Sequence, residues 1–212
     1  RIGADVAGAV TLRANEGLAH MGVKLHGMGF IVSPNEAEAL GLGETTGLEK
    51  YILPFLNGRD LAQFSRGMMA IDLFGLNEGE IKERFPRVFQ HVMDKVKPER
   101  DQNNRVTYRR NWLFFGEPRK EMRPALKYLC RYIATPRTAK HRIFQFVPAT
   151  TISESKLVVM AVDDAWQLSV LSSRPHEMFS LAAGGWIGAG NDPTYNHTDC
   201  FNPFPFPDPT EA

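Results

Sequence analysis

The sequence has only two cysteines, Cys130 and Cys200, and they form no Cys-x-x-Cys pair, so it indicates neither a zinc site nor a disulfide framework. It has no apolar run approaching the roughly 18 residues that a membrane-spanning helix needs. Its first residues lack the charged start and apolar stretch of a signal peptide. These absences predict a cytoplasmic protein with buried thiols and no membrane partner.

Nucleotide-binding and catalytic motifs are also missing. No G-x-G-x-x-G or G-K-[ST] loop occurs, no H-E-x-x-H occurs among the six histidines, and Ser172 and Ser173 lack a G-x-S-x-G elbow. Cys200 beside His197 offers a nucleophile and a base without an orienting third group, so we interpret the pair as incidental. The sequence predicts a chain without a catalytic residue, metal or cofactor of its own.

The hydrophobic patterning of the 212 residues predicts one α+β domain with a mixed sheet, scattered short helices and an irregular Pro-rich C-terminal tail. Capping signals predict helix starts at Ser33, Asn77, Asp163 or Asp164, and Ser173, and Pro86 should kink or split the second helix. Segment 118–129 is expected to be helical. Apolar runs predict strands at 6–12, 51–56, 68–74, 131–134, 142–147 and 157–162.

Two segments carry specific expectations because of their composition. Residues 97–110 have little apolar content and should form an exposed arm or loop. Residues 186–212 are rich in glycine and proline and should lie across the surface as an irregular tail. The start at Arg1 without methionine and the Pro-rich end predict a piece of a longer polypeptide.

Positive charge is concentrated between residues 95 and 142. This stretch has 14 Lys and Arg against four acids, whereas the whole chain nets only +1. Six aromatic residues are interleaved with these charges. Such asymmetry is typical of a polyanion-binding surface, and it favours nucleic acid over the alternative of a charged helix face above a core.

Segment 135–142 (TPRTAKHR) carries three fixed charges, a histidine and two hydroxyls between two apolar strands. A loop of this composition suits phosphate contact, and an Arg in the major groove can read guanine. The alternative interpretation is a solvated hairpin loop. The turn at 57–60 (NGRD) is a weaker candidate, because Arg59 and Asp60 are as well explained by a structural ion pair.

A metal-dependent nuclease would require a different interpretation of Glu154 and Lys156. Their carboxylate-x-lysine spacing occurs in many Mg-dependent nucleases, but no Pro-Asp precedes it at a strand end, and Asp163 and Asp164 follow it. A surface turn and a helix cap explain these residues better.

Nine segments, taken in order, resemble the target recognition domain of MmeI-like (type IIL) restriction–modification proteins. They are 22–30 (GVKLHGMGF), 54–61 (PFLNGRDL), 96–100 (VKPER), 112–123, 131–135 (RYIAT), 139–142 (AKHR), 171–176 (LSSRPH), 195–196 (YN) and 200–207 (CFNPFPFP). Proteins of this family join a nuclease, an N6-adenine methyltransferase and a DNA-specificity domain in one chain. The resemblance therefore implies a single target recognition domain over residues 1–212.

The resemblance also implies what the chain does not contain. In 202–205 (NPFP) the prolines are wrongly spaced for the methyltransferase's Asn-Pro-Pro-aromatic motif, and the nuclease signature is missing. S-adenosylmethionine and Mg²⁺ are therefore expected only in other domains of the parent chain. The expected partners are double-stranded DNA and the methyltransferase domain.

We accordingly predict sequence-specific binding of duplex DNA that positions a fused methyltransferase and nuclease. The residues expected to contact DNA are Lys97, Arg100, Arg105, Arg109 and Arg110, with Arg137, Thr138, Lys140, His141 and Arg142, and more weakly Arg59 and Arg174. Base edges should be read from loops such as 135–142 and 150–156. Two alternatives remain: a protein-interaction module whose basic face docks an acidic subunit, and a stand-alone Mg-dependent nuclease.

Overall fold

The strands form two four-stranded sheets and one two-stranded ribbon in a computed structural model that describes residues 6, 8–187 and 192–208. The first sheet is antiparallel, in the order β1 (Ala19–Met21), β8 (Leu157–Met160), β5 (Arg131–Pro136) and β6 (Gln145–Pro148). The second is mixed, in the order β2 (Ile31–Val32), β4 (Met69–Ile71), β3 (Ile52–Leu56) and β7 (Ile152–Ser153). Strands β3 and β7 pair in parallel. The ribbon consists of β9 (Gly185–Ile187) and β10 (Asp192–Thr194).

Nine short α-helices lie between these strands in the described part of the chain. They are α1 (Pro34–Ala39), α2 (Gly58–Ala62), α3 (Glu78–Arg84), α4 (Pro86–Lys95), α5 (Lys97–Asp101), α6 (Val106–Arg110), α7 (Met122–Leu126), α8 (Ala165–Leu171) and α9 (Arg174–Ala183). The α+β prediction is confirmed. No helix within the described ranges is long and apolar enough to cross a bilayer.

Local signals fixed several helix starts as predicted. Ser33 and Asn77 each form a capping box with the Glu three residues later, Glu36 and Glu80, at the starts of α1 and α3. Pro86 splits the predicted long helix into α3 and α4, because its ring cannot continue the hydrogen-bond ladder.

The first sheet separates two hydrophobic cores. All four residues of β8 are buried, as expected for a strand that is covered on both faces. Val159 faces the larger core, which α3 and α4 also line. Val158 and Met160 face a smaller core that contains Tyr195 and Phe201 from the C-terminal segment.

The C-terminal tail is irregular at 202–208, as predicted, but the prediction that it only lies across the surface is wrong. The segment forms the β9–β10 ribbon and a π-helical turn (His197–Phe201), and Tyr195, Cys200 and Phe204 are buried. Burial of these apolar side chains outweighs the irregularity that glycine and proline impose. Residues 188–191 and 209–212 of the predicted tail lie outside the described residues.

Two other segments differ from expectation. Residues 8–12 form no strand, and Leu12 instead donates a backbone hydrogen bond to the carbonyl of Asn202 at 2.9 Å. The predicted arm at 97–110 is folded into α5 and α6. Arg100 and Tyr108 turn inward from these helices although their neighbours are polar, and the Arg100 guanidinium lies 5.8 Å from the ring centre of Phe30 in the larger core.

Candidate nucleic-acid interface

The loop between β5 and β6 projects from the first sheet, as its sequence predicts. The antiparallel register runs from Arg131 opposite Pro148 to Ala134 opposite Gln145, which leaves residues 137–144 as the connection. We call residues 137–142 the groove loop. Arg137, Thr138, Lys140 and His141 are exposed in it.

The groove loop forms one wall of an open groove of about 820 Å³, which we call the basic groove. Three separate parts of the chain complete it: the α2 end of the second sheet, Lys156, and Ile187 of the ribbon. Its fixed cations are Arg59, Arg137, Lys140 and Lys156. Within the described part of the chain, its lining contains no Asp or Glu. Four cations from segments that are distant in sequence therefore converge on one concave surface.

Arg59 reaches the groove because α2 begins directly after β3. Asn57 caps this helix and forms a capping box with Asp60. The Arg59 Nε donates to Oε1 of Gln63, the residue that follows α2, at 3.0 Å. The suggested Arg59–Asp60 ion pair is wrong: Asp60 instead accepts from Arg66 Nε at 2.7 Å and from Arg66 Nη2 at 2.9 Å. The hydrogen bonds from Arg66 lower the pKa of the Asp60 carboxyl.

Lys156 lies beside the groove loop because the backbone N–H of Arg137 donates to the Lys156 carbonyl at 2.7 Å. The carboxylate of Glu154 organises this turn, since it accepts from Ser155 Oγ at 2.8 Å and from the Lys156 N–H at 3.3 Å. Glu154 therefore has the turn-stabilising role that the sequence favoured. No three His, Cys, Asp or Glu side chains among residues 6, 8–187 and 192–208 are grouped to hold a metal ion.

Arg142 differs from its neighbours in the groove loop because its guanidinium points into the protein. It donates to Thr135 Oγ1 at 3.2 Å, to the carbonyl of Pro136, and to the carbonyl of Pro193 at 3.1 Å. Its guanidinium carbon also lies 5.2 Å from the centre of the Tyr195 ring. Burial lowers the pKa of the guanidinium. We therefore reassign Arg142 from phosphate contact to support of the loop.

Arg100 is likewise removed from the set of DNA-contacting candidates. Its side chain is 1% exposed and donates to the carbonyls of Leu25, Phe114 and Tyr108 at 2.8, 2.7 and 3.3 Å. These bonds tie α5 to the neighbouring chain segments. Burial lowers the pKa of this guanidinium also.

The remaining cations of segment 97–110 lie outside the lining of the basic groove. Lys97 pairs with Asp101 at 2.6 Å, Arg105 donates to the Tyr108 hydroxyl at 3.1 Å, and Arg109 donates to the Asn103 carbonyl. Arg110 is exposed at the end of α6. None of them lines the groove, so DNA contact at these four residues stays a prediction. Arg174, exposed at the start of α9, is also outside the groove lining.

The Cys200–His197 pair has no catalytic geometry. The Cys200 thiol is fully buried and donates to the Ser180 carbonyl at 3.6 Å. Burial raises the pKa of this thiol to about 11, which keeps it protonated at neutral pH. Burial also lowers the pKa of the His197 imidazole.

Sequence reasoning did not identify Ile187 or Gln63 as groove residues. Ile187 was assigned to the irregular tail, and the alternation of a three-residue strand is too short to recognise among glycines. Gln63 follows the NGRD turn, and only its position after α2 places it at the groove.

Comparisons with known proteins agree with this architecture. A family model described as "MmeI, target recognition domain" matches residues 18–208. The solved structure of the type IIL restriction–modification enzyme MmeI in complex with DNA superposes with a TM-score of 0.73 at 19% identity. The similarity covers 100% of this chain and 28% of that chain, and at this identity it shows a shared fold. No curated protein matches the sequence.

Proposed function

The chain belongs to the MmeI target recognition domain family, and from that premise we propose that it recognises a sequence in duplex DNA through the basic groove. The observation that carries this proposal is the convergence of Arg59, Arg137, Lys140 and Lys156 on one groove whose described lining has no carboxylate. Four fixed cations on one concave surface suit the phosphates that flank a recognised site. MmeI, whose structure was solved with DNA, shares the fold.

The division of work within the groove follows from the side chains. Lys140, Lys156 and Arg59 supply charge, which gives affinity without information about sequence. Arg137, Thr138, His141 and Gln63 add donors and acceptors that can pair with base edges. The groove therefore contains both the phosphate-binding and the base-reading chemistry that a target recognition domain requires.

We further propose that, in a longer parent protein, the domain holds the duplex so that a fused N6-adenine methyltransferase and a nuclease act at a fixed position relative to the recognised sequence. S-adenosylmethionine and Mg²⁺ belong to those domains. The support is family membership and the 28% share of the MmeI chain that this fold occupies.

The direct test of DNA binding is fluorescence anisotropy with a labelled random-sequence duplex over a salt series. We expect affinity to fall steeply as salt rises, because each phosphate contact releases a condensed counterion. The proposal would be contradicted if the chain shows a cooperative thermal transition, and is therefore folded, but binds no duplex at low salt. Tight, salt-sensitive binding of an acidic protein subunit in its place would favour the docking alternative.

A further inference from the structure

The β9–β10 ribbon is a wall of the basic groove as well as part of the C-terminal segment. Its strand β10 runs beside the groove loop: Thr194 forms an antiparallel bridge with Thr138, and the Tyr195 N–H donates to the Arg137 carbonyl at 2.7 Å. Strand β9 pairs with the other edge of β10, with Gly185 opposite Thr194 and Ile187 opposite Asp192. The ribbon is therefore fixed to the groove loop along one strand.

Close packing at the base of the ribbon also fixes its direction. A Cβ atom at Gly184 would lie 2.5 Å from the Thr194 carbonyl oxygen and 2.6 Å from the Ser180 carbonyl oxygen. Only glycine permits this approach of α9 to β10. The Arg142 guanidinium adds a hydrogen bond to Pro193 from the loop side. The end of the ribbon next to Gly184 and Thr194 is thus closely packed against the rest of the domain.

The described end of the ribbon presents large apolar side chains to solvent. Trp186 is 52% exposed and Ile187 is 51% exposed, and alternation along the strand directs them to opposite faces. Ile187 lines the basic groove, where the neighbouring lining residues include Arg137 and Lys140. Phosphate contact does not explain an exposed branched aliphatic side chain at this place.

Base edges provide an apolar partner for such a side chain. The major groove of B-DNA admits a two-stranded ribbon, and thymine alone among the four bases presents a methyl group there. Ile187 carries only aliphatic groups and stands on a fixed ribbon beside the phosphate-binding cations. The Ile187 side chain can make an apolar contact with that methyl group, but it cannot form a hydrogen bond with a base edge.

We propose that the β9–β10 ribbon enters the major groove of the bound duplex and that Ile187 contacts the 5-methyl group of a thymine in the recognised site. This inference rests on the proposed function, since it concerns the same groove. It adds a base-reading residue and a groove assignment for the DNA. Trp186, on the opposite face of β9, faces away from the base edges in this arrangement.

The test begins with selection of preferred sites by the wild-type chain from a randomised duplex library. Each thymine of the selected site is then replaced singly by deoxyuridine, which removes only the 5-methyl group. The dissociation constants of wild type, Ile187→Ala and the control Met178→Ala are measured for every duplex. Met178 is 60% exposed on α9 and does not line the groove, so it is a matched loss of an exposed apolar side chain.

At one thymine, the wild type and Met178→Ala should lose about four-fold in affinity on replacement, the value of one buried methyl group. The Ile187→Ala variant should bind the thymine duplex more weakly and should not distinguish it from the deoxyuridine duplex. Equal discrimination by Ile187→Ala and wild type at every thymine would overturn the inference, as would wild-type indifference to all replacements. In both results DNA binding itself persists, whereas failure of the wild type to bind any duplex would reject the proposed function.

Discussion

The guanidinium of Arg142 donates a hydrogen bond to the carbonyl of Pro193 at 3.1 Å and thereby joins the groove loop to the β9–β10 ribbon. Two groove walls that lie 51 residues apart in sequence are held together by one partly buried side chain. The same guanidinium also bonds Thr135 and Pro136 at the end of β5. Arg142, although it is a basic residue of the groove loop, thus holds the groove walls together from inside the protein.

Because the Arg142 side chain supports the loop from inside the protein, its replacement should mainly lower the stability of the fold and not the positive charge that the groove presents to DNA. We expect Arg142→Ala to lower the free energy of unfolding by about 2–4 kcal/mol, since it leaves buried carbonyls without donors. Denaturant unfolding followed by circular dichroism measures this loss. Arg137→Ala, which removes an exposed neighbour, should stay within about 0.5 kcal/mol of wild type. Equal, small losses for both variants would contradict the supporting role of Arg142.

Arg100 should be a structural residue that lysine cannot replace. Its planar fork serves three carbonyls in different directions, and a single ammonium group cannot reproduce that geometry. We expect Arg100→Lys to cost about 2–4 kcal/mol of unfolding free energy. The control Arg105→Lys alters an exposed guanidinium and should cost less than about 1 kcal/mol. If Arg100→Lys has the same free energy of unfolding as wild type, the three hydrogen bonds contribute little to stability.

The sequence predicted those features that depend on neighbouring residues. The capping boxes at Ser33 and Asn77, the split at Pro86 and the projecting groove loop all follow from local signals. It did not predict which cations would be buried, because Arg100 lies in a polar segment and only the completed fold supplies its three carbonyls.

Assembly of the groove likewise depends on contacts between distant segments. Parallel pairing of β3 with β7 places the start of α2 near the turn that contains Lys156. The β9–β10 ribbon then closes the groove beside residues 137–139. Local periodicity contains no information about either arrangement, so three separately noted loops could not be recognised as one surface.

Stability should decrease between about pH 6.5 and pH 4 because of His176. Burial holds the pKa of this imidazole at about 4, and Nε2 shares a 2.9 Å hydrogen bond with the Tyr195 hydroxyl. The unfolded state, with a pKa near 6.5, binds a proton in this window while the folded state does not, so stability falls as the pH falls. Above about pH 7 the imidazole is neutral in both states and this contribution is constant.

The contribution of His176 can be isolated with His176→Gln, whose amide can keep a polar contact with Tyr195 without titrating. Its unfolding free energy should fall less steeply with acidity than that of wild type, by at most about 1.4 kcal/mol per pH unit. His26 and His197, whose pKa values are also lowered, remain in both proteins as a common background. Parallel pH curves for the two proteins would refute this assignment.

The two thiols should differ sharply in reactivity. Cys130 is exposed, whereas Cys200 is buried with a pKa of about 11. A disulfide reagent such as DTNB should titrate one thiol per native chain at neutral pH and a second one only after denaturation. Cys130→Ser should abolish the native reaction, and two thiols of equal reactivity in the native chain would contradict the burial of Cys200.

We propose above all that the basic groove is the DNA interface. The most direct test measures how DNA affinity depends on salt in two variants that lose the same number of positive charges. Arg59→Gln/Lys140→Gln/Lys156→Gln removes the three groove cations that we assign to phosphate contact. Lys50→Gln/Lys95→Gln/Lys127→Gln removes three exposed cations that do not line it. Both variants must first show the thermal transition of wild type.

If all three groove cations contact phosphates, the first variant should reduce the slope of log affinity against log salt by about 2.7, and the second should leave it nearly unchanged. Equal changes in slope for the two variants would show that net charge, and not the groove, governs binding, and would contradict the claim.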